Sequence, residues 1–182
     1  MANTMQLALP PLFINGYIRQ QLIDFGLVPN NPDFTPIMPV QPGDISMYYD
    51  DLKARSGESY PLFVQYDRLI RFRPNHFYRT KREQILYTLN CGNFDKKEMA
   101  SRVIIEALDR EDATAQDINL WVSNNSLYDG TTEIPKNVFF HNFKVYQVDQ
   151  SRDLVELSSV KDNYWDKIII EYDYHTTDSY YN

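Results

Sequence analysis

The sequence predicts a mixed α/β fold of the α+β kind: an antiparallel four-stranded sheet flanked by helices, with an extended Pro-rich arm. Three observations predict it. Two β-patterned runs, 62–72 and 83–89, flank a Pro-containing turn at Pro74-Asn75-His76 and read as a hairpin. A charged amphipathic helix follows at once, after Gly92-Asn93. The last third is β-patterned again, with Lys167-Ile168-Ile169-Ile170-Glu171-Tyr172 as its clearest strand.

Taken in order, residues 1–9 read as a flexible lead, and 10–25 as an amphipathic helix. Its apolar positions Phe13, Ile14, Tyr17, Ile18 and Leu22 recur at spacings of three and four, and Gly26 ends it. Gly16 inside that helix costs roughly 1 kcal/mol against alanine. Residues 28–57 form the arm and a polar loop. Five prolines, at 29, 32, 36, 39 and 42, each remove a backbone donor and bias the preceding residue toward extended geometry. That pattern predicts an edge-like arm rather than a central strand.

The returning limb of the hairpin ends at Cys91-Gly92-Asn93. Asp95 is the expected N-cap of the next helix, with Glu98 three residues on as in a capping box. Met99, Ala100, Val103, Ile104, Ala107 and Leu108 form its expected apolar face, and Lys96, Lys97, Arg102, Glu106 and Arg110 surround it. Residues 113–121 extend or follow this helix. In 138–148, Val138, Phe140 and Asn142 share one parity; Phe139, His141, Phe143 and Val145 share the other. Residues 154–157 and 167–172 complete the β pattern, and 176–182 is a polar tail. The expectation is one domain over 182 residues.

Composition narrows the function. Aromatic residues make up 14%, with fourteen tyrosines. Tyrosine suits half-wet contact surfaces, and β-rich domains also favour aromatics; both readings stand. The net charge of −7 disfavours general nucleic-acid binding. The single Cys91 excludes an internal disulfide and a cysteine-based metal cluster. No stretch approaches the ~20 apolar residues of a membrane span, and the N-terminus lacks a basic n-region. A soluble protein made in the cytosol is expected, with no membrane partner.

The charge distribution is uneven. Arg68, Arg71, Arg73, Arg79, Lys81 and Arg82 are six of eighteen basic residues within fifteen positions, interleaved with Tyr66, Phe72, Phe77 and Tyr78. Such a hairpin suits docking on an acidic protein surface, protection of a sheet edge, or nucleic acid. From 149 to 182 there are eight acidic and three basic residues. A basic hairpin and an acidic end permit head-to-tail association, and pairing within one molecule explains the same pattern.

No chemistry-bearing motif is present. Six scattered glycines build neither a phosphate loop nor a dinucleotide fingerprint. Asp173 and His175 share a strand face, where a metal site needs further ligands. Cys91 reads as structural, with no neighbouring group to lower its pKa. No catalytic, cofactor or metal residue is assigned.

The runs Tyr60-Pro61-Leu62-Phe63-Val64-Gln65-Tyr66 and Arg82-Glu83-Gln84-Ile85-Leu86-Tyr87-Thr88-Leu89 carry a resemblance. So do Thr114-Ala115-Gln116-Asp117-Ile118-Asn119 and the arm Phe34-Thr35-Pro36-Ile37-Met38-Pro39-Val40-Gln41. Together they resemble the small tail-completion proteins of contractile-tailed, T4-like cyanophages, within the wider tail-terminator family. The resemblance covers about residues 10–175 in element order. It implies a six-fold ring that caps the tail tube, ends tail growth and meets the neck or head connector. Its partners would be further copies, tube and sheath proteins, and connector proteins, without cofactor or sequence-specific nucleic-acid binding. Contacts are expected at Arg68, Arg71, Arg73, Arg79 and Arg82 of the hairpin and at Phe34, Ile37 and Met38 of the arm, with neighbours burying sheet edges. The arm is longer than a minimal terminator needs, which leaves a neighbouring neck or sheath-attachment adaptor as the alternative. A small nucleic-acid binder is the other.

Overall fold

The structure, a computed structural model, describes residues 10–32, 34, 36–40, 60–66, 80–148 and 164–176. Helix α1 spans Pro10–Asp24. Both prolines fall in its first turn, where the missing N–H has no helical partner to lose. It stops in a Schellman motif: Leu27 N donates to the Leu22 carbonyl, Gly26 N to that of Ile23, and Gly26 takes φ +70°. Leu22 and Leu27 are both buried, so the motif is also packed shut.

The arm becomes β1 (Ile37–Val40), followed by β2 (Leu62–Tyr66) and β3 (Lys81–Cys91). Helices α2 (Phe94–Leu108) and α3 (Asp112–Asn124) come next. A two-stranded ribbon of β4 (Tyr128–Asp129) and β5 (Thr132–Glu133) leads to β6 (Val138–Val148) and β7 (Tyr164–Thr176). The main sheet runs β1-β2-β3-β7-β6.

The α+β class holds, and both expected hairpins, β2–β3 and β6–β7, are antiparallel. The four antiparallel strands are β2, β3, β7 and β6. The arm adds a fifth, β1, parallel to β2, so the expectation of a four-stranded sheet is corrected. The polar tail starts only after Thr176, the last residue of β7. The lead 1–9, the loop 46–57, the turn at 74–76 and the run 154–157 lie outside the described residues.

The odd-numbered residues of β3 and even-numbered residues of β7 face the helices. Ile85, Tyr87 and Leu89 meet Ile168, Ile170 and Tyr172 there, beneath Phe13, Ile14, Ile18, Val103, Ile104 and Ile118. On β6 a bulge between His141 and Lys144, with Asn142 at φ +43°, shifts the alternation by one residue. Phe143 therefore joins Val138 and Phe140 in the core, correcting the parity expected from simple alternation.

Other local expectations change for identifiable reasons. Asn93, not Asp95, caps α2: its side-chain oxygen accepts from Lys96 N at 3.1 Å and its backbone is extended, as an N-cap requires. Met99 is 48% exposed rather than part of the apolar face. Lys97 turns inward instead. Its Nζ lies 2.6 Å from Glu98 Oε1 and 3.3 Å from Asp166 Oδ2, which also accepts from Ser101 Oγ at 2.7 Å. Burial pulls the Lys97 ammonium down, but Glu98 and Asp166 outweigh it and hold it above the ordinary lysine value. α3 is a separate helix, because Glu111 at φ +52° breaks the chain after α2.

Gly16 is not simply a weak point of α1. A Cβ built there would stand 2.5 Å from Cη2 of Trp121 on α3. The glycine's helix cost is set against close approach of the two helices.

Candidate docking surfaces

The sheet's two edges are protected to different degrees. Phe63 N donates to the Pro36 carbonyl at 2.7 Å, so even-numbered arm residues turn their backbone groups toward β2. Pro39 then falls on the outer side, where its missing N–H removes a donor from a strand only four residues long. At β6, atoms of α3 and of the turn before it cover the edge. Asn119 Nδ2 donates to the Phe140 carbonyl at 3.0 Å, and Phe140 N donates to Asn119 Oδ1 at 2.9 Å. Glu111 and Phe143 exchange backbone bonds at 3.1 and 3.3 Å, and Val145 N donates to Asp109 Oδ1 at 3.1 Å. Pro39 and the capping of β6 both disfavour strand addition, and the sheet's open face and one groove offer further surfaces.

The sheet face turned away from the helices is open around β6, where Phe139, Lys144 and Tyr146 are exposed, and covered at Thr88 and Asn90, which are buried. Strand register lays its side chains in rows. Leu86, Ile169 and Tyr146 form an apolar row, with Tyr146 45% exposed. Beside it, Gln84 donates to Glu171 Oε2 at 2.6 Å, and Lys144 lies opposite Glu171 in register. The next row pairs Arg82 Nε with Asp173 Oδ1 at 2.8 Å, beside His141. The Asp173 hydrogen bond raises the Arg82 guanidinium further above its ordinary value. Last come His175 and Phe139, which is 43% exposed.

His141 Nε2 and His175 Nδ1 stand 2.7 Å apart, and Phe139 packs on both rings at 5.1 and 5.2 Å between centroids. A hydrogen bond between two imidazoles needs one donor and one acceptor, so the pair holds at most one extra proton while it lasts. Burial, then the charge of His141, lowers the His175 pKa. Asp173 and His175 do share a face, as alternation predicts. Among the described residues, however, no three His, Cys, Asp or Glu side chains are placed to hold a metal ion.

A second feature lies where the arm meets α1. An apolar groove of about 220 Å³ is lined by Leu12, Gly16, Pro36, Ile37, Leu127 and Ile134. Arg19 ties the arm to α1 by donating to the Phe34 carbonyl at 3.3 Å and the Asn31 carbonyl at 2.8 Å. Phe34 packs edge-on against Tyr60 at 5.2 Å, and Lys96 lies 5.6 Å over the Tyr60 ring.

The expected contact residues therefore divide. Arg82 sits on the open face and is engaged by Asp173. Ile37 lines the groove, Phe34 is half-buried beside Tyr60, and Met38 lies on β1 opposite Val64. Arg68, Arg71, Arg73 and Arg79 lie outside the described residues. Sequence reasoning missed the cluster of Phe139, His141 and His175. Parity put Phe139 with His141 on one strand and Asp173 with His175 on the other; the cross-strand register that joins them was not legible, nor was the bulge that brings Tyr146 to the same face. Cys91 is buried, and burial raises its thiol pKa, as a structural cysteine requires.

Among the described residues no helix is long and apolar enough to cross a membrane. No protein-family model matches this chain, and no curated protein matches it either.

Proposed function

We propose that this chain is a structural virion protein of a contractile-tailed phage. In this reading it is a tail-terminator or tail-completion protein whose copies form a ring. The ring caps the finished tail tube, ends its growth and joins it to the neck. The order β2–β3–α2, with the arm entering the sheet as its edge strand β1, supports the resemblance carried by the sequence. The observation that supports the reading most is the open sheet face. Its aromatic side chains Phe139 and Tyr146 are exposed, while Arg82, Gln84 and the histidines already have partners within the molecule. Polar groups satisfied before docking lower the desolvation cost of covering them, and exposed aromatics supply anchors.

Negative-stain imaging of the purified protein, alone and with isolated tail tubes, tests the proposal. Rings, and caps on one end of each tube, are expected. Monomers that leave every tube end bare would overturn it. Charge reversal at Arg71 and Arg73 tests the hairpin's part: loss of tail joining is expected, and normal joining removes it from the contact list.

A further inference from the structure

The two broad surfaces of the molecule differ in sign. Among the described residues, the open sheet face carries Arg82, Lys144 and Lys167 against Glu171 and Asp173, three basic and two acidic side chains. The helix layer lies on the other side of the sheet. From Phe94 to Asn124 it has seven acidic residues (95, 98, 106, 109, 111, 112 and 117) against four basic ones (96, 97, 102 and 110). Lys97 is buried, so the outer surface is more acidic still. Each surface also has exposed apolar anchors: Phe139 and Tyr146 on the sheet, Met99 at 48% and Leu120 at 62% on the helices.

We infer that the open sheet face of one copy docks on the α2–α3 layer of a second copy, head to tail. This rests on the assembly reading and names its two surfaces. Charge selects the arrangement. In a chain of net charge −7, two helix layers repel each other, and two sheet faces of mixed charge gain less than a sheet face set against the acidic helix layer. The mixed contact brings Lys144 and Arg82 to an acidic surface and sets aromatic anchors against Leu120 and Met99. The β6 edge is closed by the chain's own atoms and Pro39 removes an outward donor from β1, so addition of strands is disfavoured. Because the two surfaces differ, every copy keeps one of each after docking. The contact then propagates until it closes into a ring.

The test uses two full-length variants altered only at exposed positions. Lys144→Glu with Tyr146→Glu makes the sheet face acidic. Met99→Glu with Leu120→Glu removes the helix layer's apolar anchors and leaves it acidic, so the two altered faces repel each other. Circular dichroism verifies that both fold, and light scattering after size exclusion reads their mass. Wild type is expected to self-associate, more weakly as salt rises from about 0.05 M to about 0.5 M. Each variant alone should weaken association by about tenfold or more. An equimolar mixture should form a dimer and nothing larger, since each partner keeps one working surface. A homodimer of either variant alone would show a like-with-like contact and overturn the inference. So would wild type that stays monomeric at every concentration. Rings or tube caps formed equally by wild type and both variants would keep the ring reading and overturn this assignment of faces.

Discussion

Arg82 and Glu83 are adjacent on β3, yet they live in opposite environments. Arg82 is on the open face, its side chain 45% exposed and paired with Asp173. Glu83 is on the helix side and 1% exposed, accepting from Tyr172 Oη at 2.8 Å and Tyr174 Oη at 3.1 Å. Burial, then the Glu83 charge, holds the Tyr172 phenol well above its ordinary value. One carboxyl group accepts from two tyrosine hydroxyls in the core, the other from a guanidinium at the surface. The inner arrangement serves stability, because leaving its donors without an acceptor is costly. The outer one adds little to stability, because an exposed ion pair contributes little to folding.

Substitutions can break this contrast. Glu83→Ala, which leaves two buried phenols short of an acceptor, is expected to cost about 3 kcal/mol by urea denaturation. Glu83→Gln keeps acceptor oxygen and should cost clearly less; equal losses would show that the hydroxyl bonds are not what matters. Gly16→Ala, on the same side of the sheet, should destabilise by about 1 kcal/mol or more. The clash with Trp121 has to exceed the helix propensity gained; a stabilised variant would mean the two helices separate freely.

The outer face should behave in reverse. Arg82→Ala is expected to change stability by no more than about 0.5 kcal/mol, while weakening association of wild-type copies by size exclusion. A large loss of stability with unchanged association would erase the distinction between the faces. The smallest effect concerns His175. Its pKa is lowered from 6.5 in the folded protein, so the unfolded chain takes up that proton first as pH falls. Stability from this source is intact above about 6.5 and declines as pH falls through it toward the folded value. His175→Phe should flatten that part of the curve of urea midpoint against pH, and an unchanged slope would exclude the pair as its source.

Local pattern carried much of the fold and less of the surface. The stripe Phe13, Ile14, Tyr17, Ile18 and Leu22 located α1 because a helix repeats every three or four residues, and the core is built on that stripe. Gly26 marked its end for the same local reason. Alternation failed at β6, where the bulge at Asn142 depends on register with β7 rather than on β6 itself. The prolines placed the arm at an edge, where β1 does sit, but local pattern could not name its partner. The partnership with β2 lies across more than twenty residues of chain. Lys97 was misplaced because its partner Asp166 arrives from β7, sixty-nine residues on. Charge along the chain drew attention to the basic hairpin, whereas the open face is assembled from three strands and shows in no single run.

The packing of Trp121 against Gly16 offers an optical consequence. The chain has two tryptophans, and the Trp121 indole N–H is buried without an acceptor while its six-membered ring presses on the α1 backbone. Replacing Trp165 by phenylalanine leaves one emitter. Its fluorescence colour and intensity then report how firmly α1 is seated, in real time and without any attached dye.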